Sequence, residues 1–313
     1  MPDEATPGDI VAFCHLPKTA GTTIVYLMRR HFGMSHVDVG RREVVHDGPR
    51  VKPYFYGPQD LRADMKLYPA VRSISGHYLH PCTDFEEFQD RLVWHTILRE
   101  PVSRFRSQYL HEVEFIGRQI DFPAWLQTYI RNDAMVRHLA GELNLDAAME
   151  ILATRMVCVG LQGRFDESLL LLRHRLGLED FDIGYPEPKN TATQRRSPSV
   201  LSPRQLRRKL VGRPTFPIPD DVHQRNLEHL DKYQDEIRAS NELDIKLYDF
   251  AVKEIWPRQA NEYGGPDKLE RDAEAQVRAG GIGLANRWRL ASSAAYRNLV
   301  YKPYLRLVRR RRT

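Results

Sequence analysis

The sequence predicts an α/β fold in three layers, with a mostly parallel central sheet flanked by helices. Short β-rich runs alternate with helical patterns along most of the chain, which is typical of a parallel sheet. The chain has 313 residues, of which 42% are hydrophobic and 28% charged, enough for one α/β domain and an extension. We expect an α/β domain over residues 1–265 and a basic, mainly helical C-terminal extension over residues 266–313.

Four short apolar runs predict the buried strands of this sheet, at residues 10–15, 71–76, 93–98 and 156–161. Helical patterns follow at residues 22–32, 101–117, 164–176 and 220–256. Residues 186–219 are rich in Pro, Ser, Thr and Arg, which predicts a long loop. This loop, with Arg195 and Arg196, is interpreted either as a mobile cover over a bound nucleotide or as a solvated linker.

Charge and composition exclude several classes of protein. The net charge is +6, but residues 275–313 hold ten Lys or Arg and no acidic residue, so the first 274 residues are net negative. A nucleic-acid-binding body is disfavoured, because that role needs basic residues across the folded domain. No run approaches the roughly 20 apolar residues of a membrane span, and the N-terminus lacks the pattern of a signal peptide. With three unpatterned cysteines, these features predict a cytoplasmic protein.

The segment HLPKTAGTT, residues 15–23, lies where the first predicted strand gives way to a helix. Such a junction presents free backbone N–H groups and the positive end of the helix to an anion, while Lys18 adds a charge and Gly21 allows close approach. An ordinary strand-to-helix turn with a surface lysine is the alternative. The segment is not a Walker A loop, in which the lysine directly follows the last glycine.

The segment REPVSRFRSQY, residues 99–109, follows the strand predicted at residues 93–98. Arg99 at the strand end and Ser107 on the following helix offer a charged fork and a hydroxyl donor to a terminal phosphate. A helix with proline in its first turn and solvated arginines is the alternative.

Both segments resemble motifs of the carbohydrate sulfotransferases. HLPKTAGTT resembles the family's 5′-phosphosulfate loop, and residues 99–109 resemble its 3′-phosphate motif RxPxxRxxSxY. Weaker similarity in VGLQGRFDES and ELDIKLYDFA extends the resemblance over residues 10–256, although Gly163 stands where the family more often has glutamate.

The resemblance implies a P-loop-like sulfotransferase fold and 3′-phosphoadenosine 5′-phosphosulfate as the donor, with no metal. It also implies a carbohydrate or glycolipid hydroxyl as the acceptor. The nucleotide-binding residues that it implies are Pro17, Lys18, Thr19, Ala20, Gly21, Thr22, Thr23, Arg99 and Ser107.

His77 is the candidate general base, and Lys18 is the second candidate catalytic residue. Residues 75–78, SGHY, resemble a family segment in which a histidine takes the acceptor proton, and a neutral imidazole near pH 7 suits that role. A structural histidine at a strand end is the alternative. Glu112 and Glu114 are reserve candidates, although solvated charges on a helix face are the favoured interpretation for both.

Other readings of the chemistry remain open. His77, His80 and Cys82 include permitted zinc ligands but lack a matching second pair. Asp180-Phe181-Asp182 is too short to specify a metal-dependent glycosyltransferase, so no metal is expected. A P-loop small-molecule kinase and a non-catalytic nucleotide- or glycan-binding protein are the alternative functions. The aromatic residues 54–56 either stack on a sugar ring or pack locally.

The C-terminal residues 285–313 combine aromatic and aliphatic side chains with arginines. This composition predicts peripheral contact with an anionic membrane at its cytoplasmic face. A helix packed on the core and a solvated tail are the alternatives, and Pro303 counts against one unbroken helix.

Overall fold

The structure, a computed structural model, describes residues 8–42, 46–47, 50–51, 53–68, 70–127, 132–185, 220–277 and 284–311. The predicted loop at residues 186–219 lies outside the described residues.

Within the described residues, seven strands form two sheets. They are β1 (Ile10–Cys14), β2 (His36–Asp38), β3 (His46–Asp47), β4 (Arg50–Val51), β5 (Ser73–Gly76), β6 (Leu92–Leu98) and β7 (Met156–Leu161). The main sheet has five strands in the order β2-β5-β1-β6-β7, all parallel, whereas β3 and β4 form a separate antiparallel pair. The predicted α/β class is confirmed, and all four predicted strands are present.

Helices flank this sheet, an arrangement compatible with three layers. The first seven are α1 (Gly21–Phe32), α2 (Pro58–Leu67), α3 (Pro101–Leu110), α4 (Phe122–Leu126), α5 (Ala134–Ala140), α6 (Leu145–Glu150) and α7 (Phe165–Arg175). Further helices span Asp220–Lys232, Gln234–Ala239, Glu242–Phe250, Trp256–Tyr263, Pro266–Val277, Leu284–Tyr296 and Lys302–Arg311. Strand β2 and helix α2 were not predicted from the sequence.

The strand order creates a crevice between β1 and β6. From β1 the chain passes through α1 to β2 on one side of the sheet, whereas β7, the strand that follows β6, lies on the other side. Ligands of open α/β sheets bind at such a switch point, outside the carboxyl ends of the strands. Both candidate anion motifs begin at these ends.

Two apolar clusters hold the motifs in place. The main cluster joins the fully buried strands β1, β6 and β7 to α1 and α7. A smaller cluster packs α3 against α4 and the helix Asp220–Lys232 through Phe105, Tyr109, Trp125 and Leu230. The helix of the second motif is therefore held by the smaller cluster.

The extension after residue 265 is also attached to the core. Leu269 and Ala273, in the helix Pro266–Val277, are buried members of the main cluster, as are Tyr301 and Leu305. The boundary at residue 265 stays a prediction. No helix in the described ranges is long and apolar enough to span a bilayer.

The last described segment, Leu284–Arg311, is helical throughout and is called the C-terminal helix below. The sequence disfavoured an unbroken helix because of Pro303, and this expectation is wrong. A π-helical turn at Arg297–Tyr301 directly precedes the proline. A proline ring clashes with the carbonyl group four residues earlier, here that of Leu299, which lies within this turn.

Candidate active site

The loop between β1 and α1 has an unusual backbone. Lys18 and Ala20 have φ angles of 69° and 68°, in the left-handed region, which non-glycine residues rarely occupy and which is often found at functional sites. Ala20 is the N-cap of α1, and no side chain caps this helix within the described chain. The Thr23 amide donates to the Ala20 carbonyl at 3.0 Å, which leaves the amides of Gly21 and Thr22 available to an anion.

The His15 imidazole packs against the loop at Gly21. A Cβ on Gly21 would overlap the His15 imidazole, so only glycine fits at this position. The Thr19 hydroxyl donates to the Leu16 carbonyl at 3.0 Å and is buried. Thr19 therefore stabilises the loop through its side chain, and only its backbone can meet a ligand.

Lys18 and Arg99 bring the two motifs together. Arg99 Nη1 donates to the Lys18 carbonyl oxygen at 3.2 Å across the crevice between β1 and β6. Burial, with the nearby Arg99 charge, lowers the pKa of Lys18 to about 8. Lys18 is therefore protonated at pH 7, and a bound anion would relieve the repulsion between the two cations.

The Arg99 guanidinium is held by neutral oxygens. Its Nε and Nη2 donate to the Ser103 hydroxyl at 3.0 and 2.8 Å, and it forms no ion pair with a carboxylate of the described residues. Partial burial lowers the pKa of Arg99, with Glu100 opposing the shift. A partly desolvated cation without a counter-ion is suited to binding an anionic ligand.

Ser107 lies one helical turn beyond Ser103 on α3 and is half-buried. Its hydroxyl makes no hydrogen bond within the part of the chain that the structure describes.

Arg104, the second arginine of this motif, differs from Arg99 because it is buried with its Nε 3.7 Å from the Asp244 carboxylate. The two arginines of one motif therefore have different environments, one open to a ligand and one structural.

The Glu100 side chain caps the N-terminus of α3. Its carboxylate accepts from the amides of Val102 at 3.1 Å and Ser103 at 2.7 Å, as an N-cap does. The start of α3 is thus occupied by its own carboxylate, whereas the start of α1 is open.

His77 follows β5 and lies beside the His15 ring, with centroids 4.0 Å apart. Its Nδ1 is 2.7 Å from the His15 carbonyl oxygen, which can only accept, so Nδ1 carries the proton. In the neutral ring Nε2 is then free to accept a proton. The ring is exposed, yet desolvation by the surrounding protein, with help from Lys18, lowers its pKa. His77 is therefore neutral at pH 7 and competent as a base.

Glu112 and Glu114 are buried, so the interpretation as solvated charges is wrong. Glu112 accepts from Arg118 Nη1 at 2.8 Å and Trp125 Nε1 at 3.2 Å. Glu114 accepts from His223 Nδ1 at 2.7 Å. Both carboxylates face the second apolar cluster and its helices, so neither is placed as a free base.

The metal-binding alternatives receive no support from the described residues. His80 Nδ1 lies 2.9 Å from the His138 carbonyl, and Asp182 forms an ion pair with Arg30 at 3.0 Å. No group of three potential ligands is placed to hold a metal within the described ranges.

The aromatic residues 54–56 have separate environments. Tyr56 is buried and donates to Asp64 at 2.8 Å, and Tyr54 packs edge-on against Tyr78. Phe55 is 38% exposed and lies 4.4 Å from the His80 ring. Phe55 is therefore the member of this group that is most accessible to an acceptor.

Sequence reasoning missed His15, Ser103 and His111 as parts of the site. His111 continues the spacing of Ser103 and Ser107 at intervals of four residues, which places all three on one helix face. Partial burial and the Lys18 charge lower the pKa of His111, and its ring stacks on Phe115 with centroids 4.8 Å apart. The four-residue spacing was the available signal.

No protein-family model and no curated protein matches the chain.

Proposed function

We propose that the chain is a sulfotransferase with a P-loop-like fold. It transfers a sulfuryl group from 3′-phosphoadenosine 5′-phosphosulfate to a hydroxyl of a carbohydrate or glycolipid, without a metal. The observation that carries this proposal is the hydrogen bond from Arg99 to the Lys18 carbonyl. It joins two cationic motifs at the switch point of the sheet, with His77 beside them.

The donor has anionic groups at both ends, and the protein offers a cationic side chain to each of them, Lys18 to one end and Arg99 to the other. In the proposal the open amides of α1 and the loop from Pro17 to Thr23 bind the 5′-phosphosulfate. Arg99 and Ser107 bind the 3′-phosphate, which ATP and AMP lack. The neutral hydrogen-bond partners of Arg99 leave its charge for that phosphate.

Transfer proceeds by in-line attack of the acceptor oxygen on sulfur. A new O–S bond forms while the bond from sulfur to the bridging oxygen of the 5′-phosphate breaks. The acceptor hydroxyl gives its proton to His77 Nε2, and 3′,5′-adenosine bisphosphate departs. Lys18 stabilises the negative charge that develops on the bridging oxygen, which is where a preorganised donor lowers the barrier most.

Incubation of the purified chain with the phosphosulfate donor and a panel of sugars and glycolipids, with mass detection of the product, tests the proposal. We expect the mass of one acceptor to rise by about 80 Da, which is the mass of an added SO₃ group. A metal chelator should not reduce the amount of this product. Magnesium-dependent transfer from ATP would instead indicate a kinase. Bisphosphate binding without transfer to any acceptor would indicate a non-catalytic binding protein.

The predicted cytoplasmic location belongs to the same proposal, whereas the predicted peripheral membrane contact rests on a different surface of the chain. A lipid-linked acceptor would then be met at the membrane surface.

A further inference from the structure

The C-terminal helix packs against α1 and the turn Gly33–Ser35, which leads into β2, an edge strand of the sheet. At the end of α1, Arg289 Nη1 donates to the His31 carbonyl at 3.3 Å. At the end of β2, Arg297 pairs with Asp38 at 2.8 Å. Tyr301 donates to the buried Asp64 at 3.0 Å. One face of this helix is therefore fixed along its length.

The opposite face is apolar and exposed. We call Leu284, Trp288, Leu299, Val300 and Leu307 the apolar face. Leu284 and Trp288 are each 75% exposed, Leu299 is 77% exposed and Leu307 is 59% exposed. The steps of four and eleven residues from Leu284 through Trp288 to Leu299 are close to one and three whole turns of a helix. These three side chains therefore lie in line, and Val300 and Leu307 lie within about 100° of Leu299 around the helix axis.

The rest of the described surface has few comparable residues. Phe55, Phe115, Leu143 and Val252 are each less than half exposed and are dispersed along the chain. Met34 is 55% exposed, and it belongs to the turn Gly33–Ser35 that packs against the C-terminal helix. A concentrated exposed apolar surface of this kind marks an interaction site.

The charge of the residues around the apolar face indicates which kind of partner it binds. The exposed residues Arg287, Lys302 and Arg306 lie on the same helix, and residues 275–313 contain no acidic residue. Two copies of such a face would repel each other, whereas an anionic surface would be attracted. Apolar side chains with a tryptophan and flanking basic residues match the boundary between lipid headgroups and acyl chains.

We propose that the apolar face of the C-terminal helix binds an anionic lipid surface, with Trp288 and the leucines entering the headgroup boundary. The flanking arginines and Lys302 meet the lipid phosphates. The β2 edge of the sheet then faces the membrane. This inference does not depend on the proposed sulfuryl transfer, because it rests on a different surface.

Trp288 provides a direct probe. The chain has four tryptophans, and Trp94, Trp125 and Trp256 are buried. We expect vesicles of phosphatidylglycerol to shift the emission of the full chain to shorter wavelength and to sediment it. Phosphatidylcholine vesicles should do neither, and salt should weaken the effect. The Trp288→Phe variant should bind but lose the shift, which assigns the signal to this residue.

A double variant, Leu299→Gln with Leu307→Gln, tests the face itself. We expect its partition onto phosphatidylglycerol vesicles to fall at least about tenfold, since lost apolar insertion weakens interfacial binding. The matched control, Leu143→Gln with Val252→Gln, changes exposed apolar residues elsewhere and should bind normally. Should the first double variant misfold by circular dichroism, Arg287→Gln with Arg306→Gln replaces it, and loss of the salt-sensitive binding is expected.

Three results would overturn the inference. The first is no vesicle binding by the full chain at low salt. The second is equal binding by the wild type and a folded apolar-face variant. The third is self-association of the wild type that the same variant abolishes, because the face would then be an interface between two copies.

Discussion

Replacing Arg104 with leucine should destabilise the fold, although Arg104 belongs to the same motif as the ligand-facing Arg99. Arg104 is 2% exposed, and its partner Asp244 is fully buried. Removing one member of a buried ion pair costs about 3–5 kcal/mol, because the other charge is left uncompensated. Asp244 keeps hydrogen bonds of 2.9–3.1 Å from the amides of Met135 and Val136, so we expect about 3 kcal/mol.

The loss should depend on pH. Even beside Arg104, burial raises the pKa of Asp244 from 3.8 to about 6, and without Arg104 it should rise further. Between the unfolded and the folded pKa, the folded protein holds a proton that the unfolded chain has released. Stability from this group therefore falls as pH rises. The difference in unfolding free energy between wild type and variant should be larger at pH 8 than at pH 5, by at least about 1 kcal/mol.

Urea denaturation followed by circular dichroism at both pH values measures this difference. The Arg99→Leu variant is the matched control, and its loss should be about 1 kcal/mol or less, because its partners are neutral oxygens. An Arg104→Leu variant as stable as the wild type at pH 8, or equally destabilised at both pH values, would refute the reasoning.

Three further predictions concern the crevice. Lys18→Ala should lower turnover by about 10²–10³-fold while changing bisphosphate affinity only a few-fold. Arg99→Ala and Ser107→Ala should do the reverse in steady-state kinetics and calorimetry; equal losses in all three would contradict these roles. His77→Ala should abolish transfer while leaving bisphosphate affinity within a few-fold, and full activity would place the base elsewhere. Because the pKa of Lys18 is lowered to about 8, wild-type activity should fall as pH rises above this value. A Lys18→Arg variant, although slower, should lose that alkaline limb, and an unchanged limb would exclude Lys18 as its origin.

The sequence predicted much of the sheet and the position of both motifs. Hydrophobic runs located β1, β5, β6 and β7, and the strand ends then located Lys18, His77 and Arg99 at one edge. Parallel strands place their carboxyl ends together, so this part of the site followed from local pattern alone. Strand β2 was missed because three residues carry no usable period.

The environments within the motifs were not predictable from sequence. Arg99 and Arg104 differ because Asp244 approaches only one of them from a distant helix. Glu112 and Glu114 are buried because α4 and the helix Asp220–Lys232 cover the π-helical segment His111–Ile116, which directly follows α3 and carries both residues. Such differences depend on tertiary packing rather than on local spacing, and the same holds for the hydrogen bond between His77 and the His15 carbonyl.

The two faces of the C-terminal helix are a further example. Composition predicted an interfacial segment and left a packed helix as an alternative. In the structure one face packs through Tyr301 and Leu305, while Leu284 and Trp288 are exposed. The two interpretations therefore describe opposite sides of one helix, with the membrane role resting on the outer side.

Calorimetric titration of the purified chain with 3′,5′-adenosine bisphosphate, AMP and ATP tests the central claim most directly. If Arg99 and Ser107 receive a 3′-phosphate, the bisphosphate should bind at least about tenfold more tightly than AMP or ATP, which is about 1.4 kcal/mol. Arg99→Ala should remove that preference, and magnesium should not change it. Equal affinity for the three nucleotides, or a magnesium-dependent preference for ATP, would contradict the proposed function.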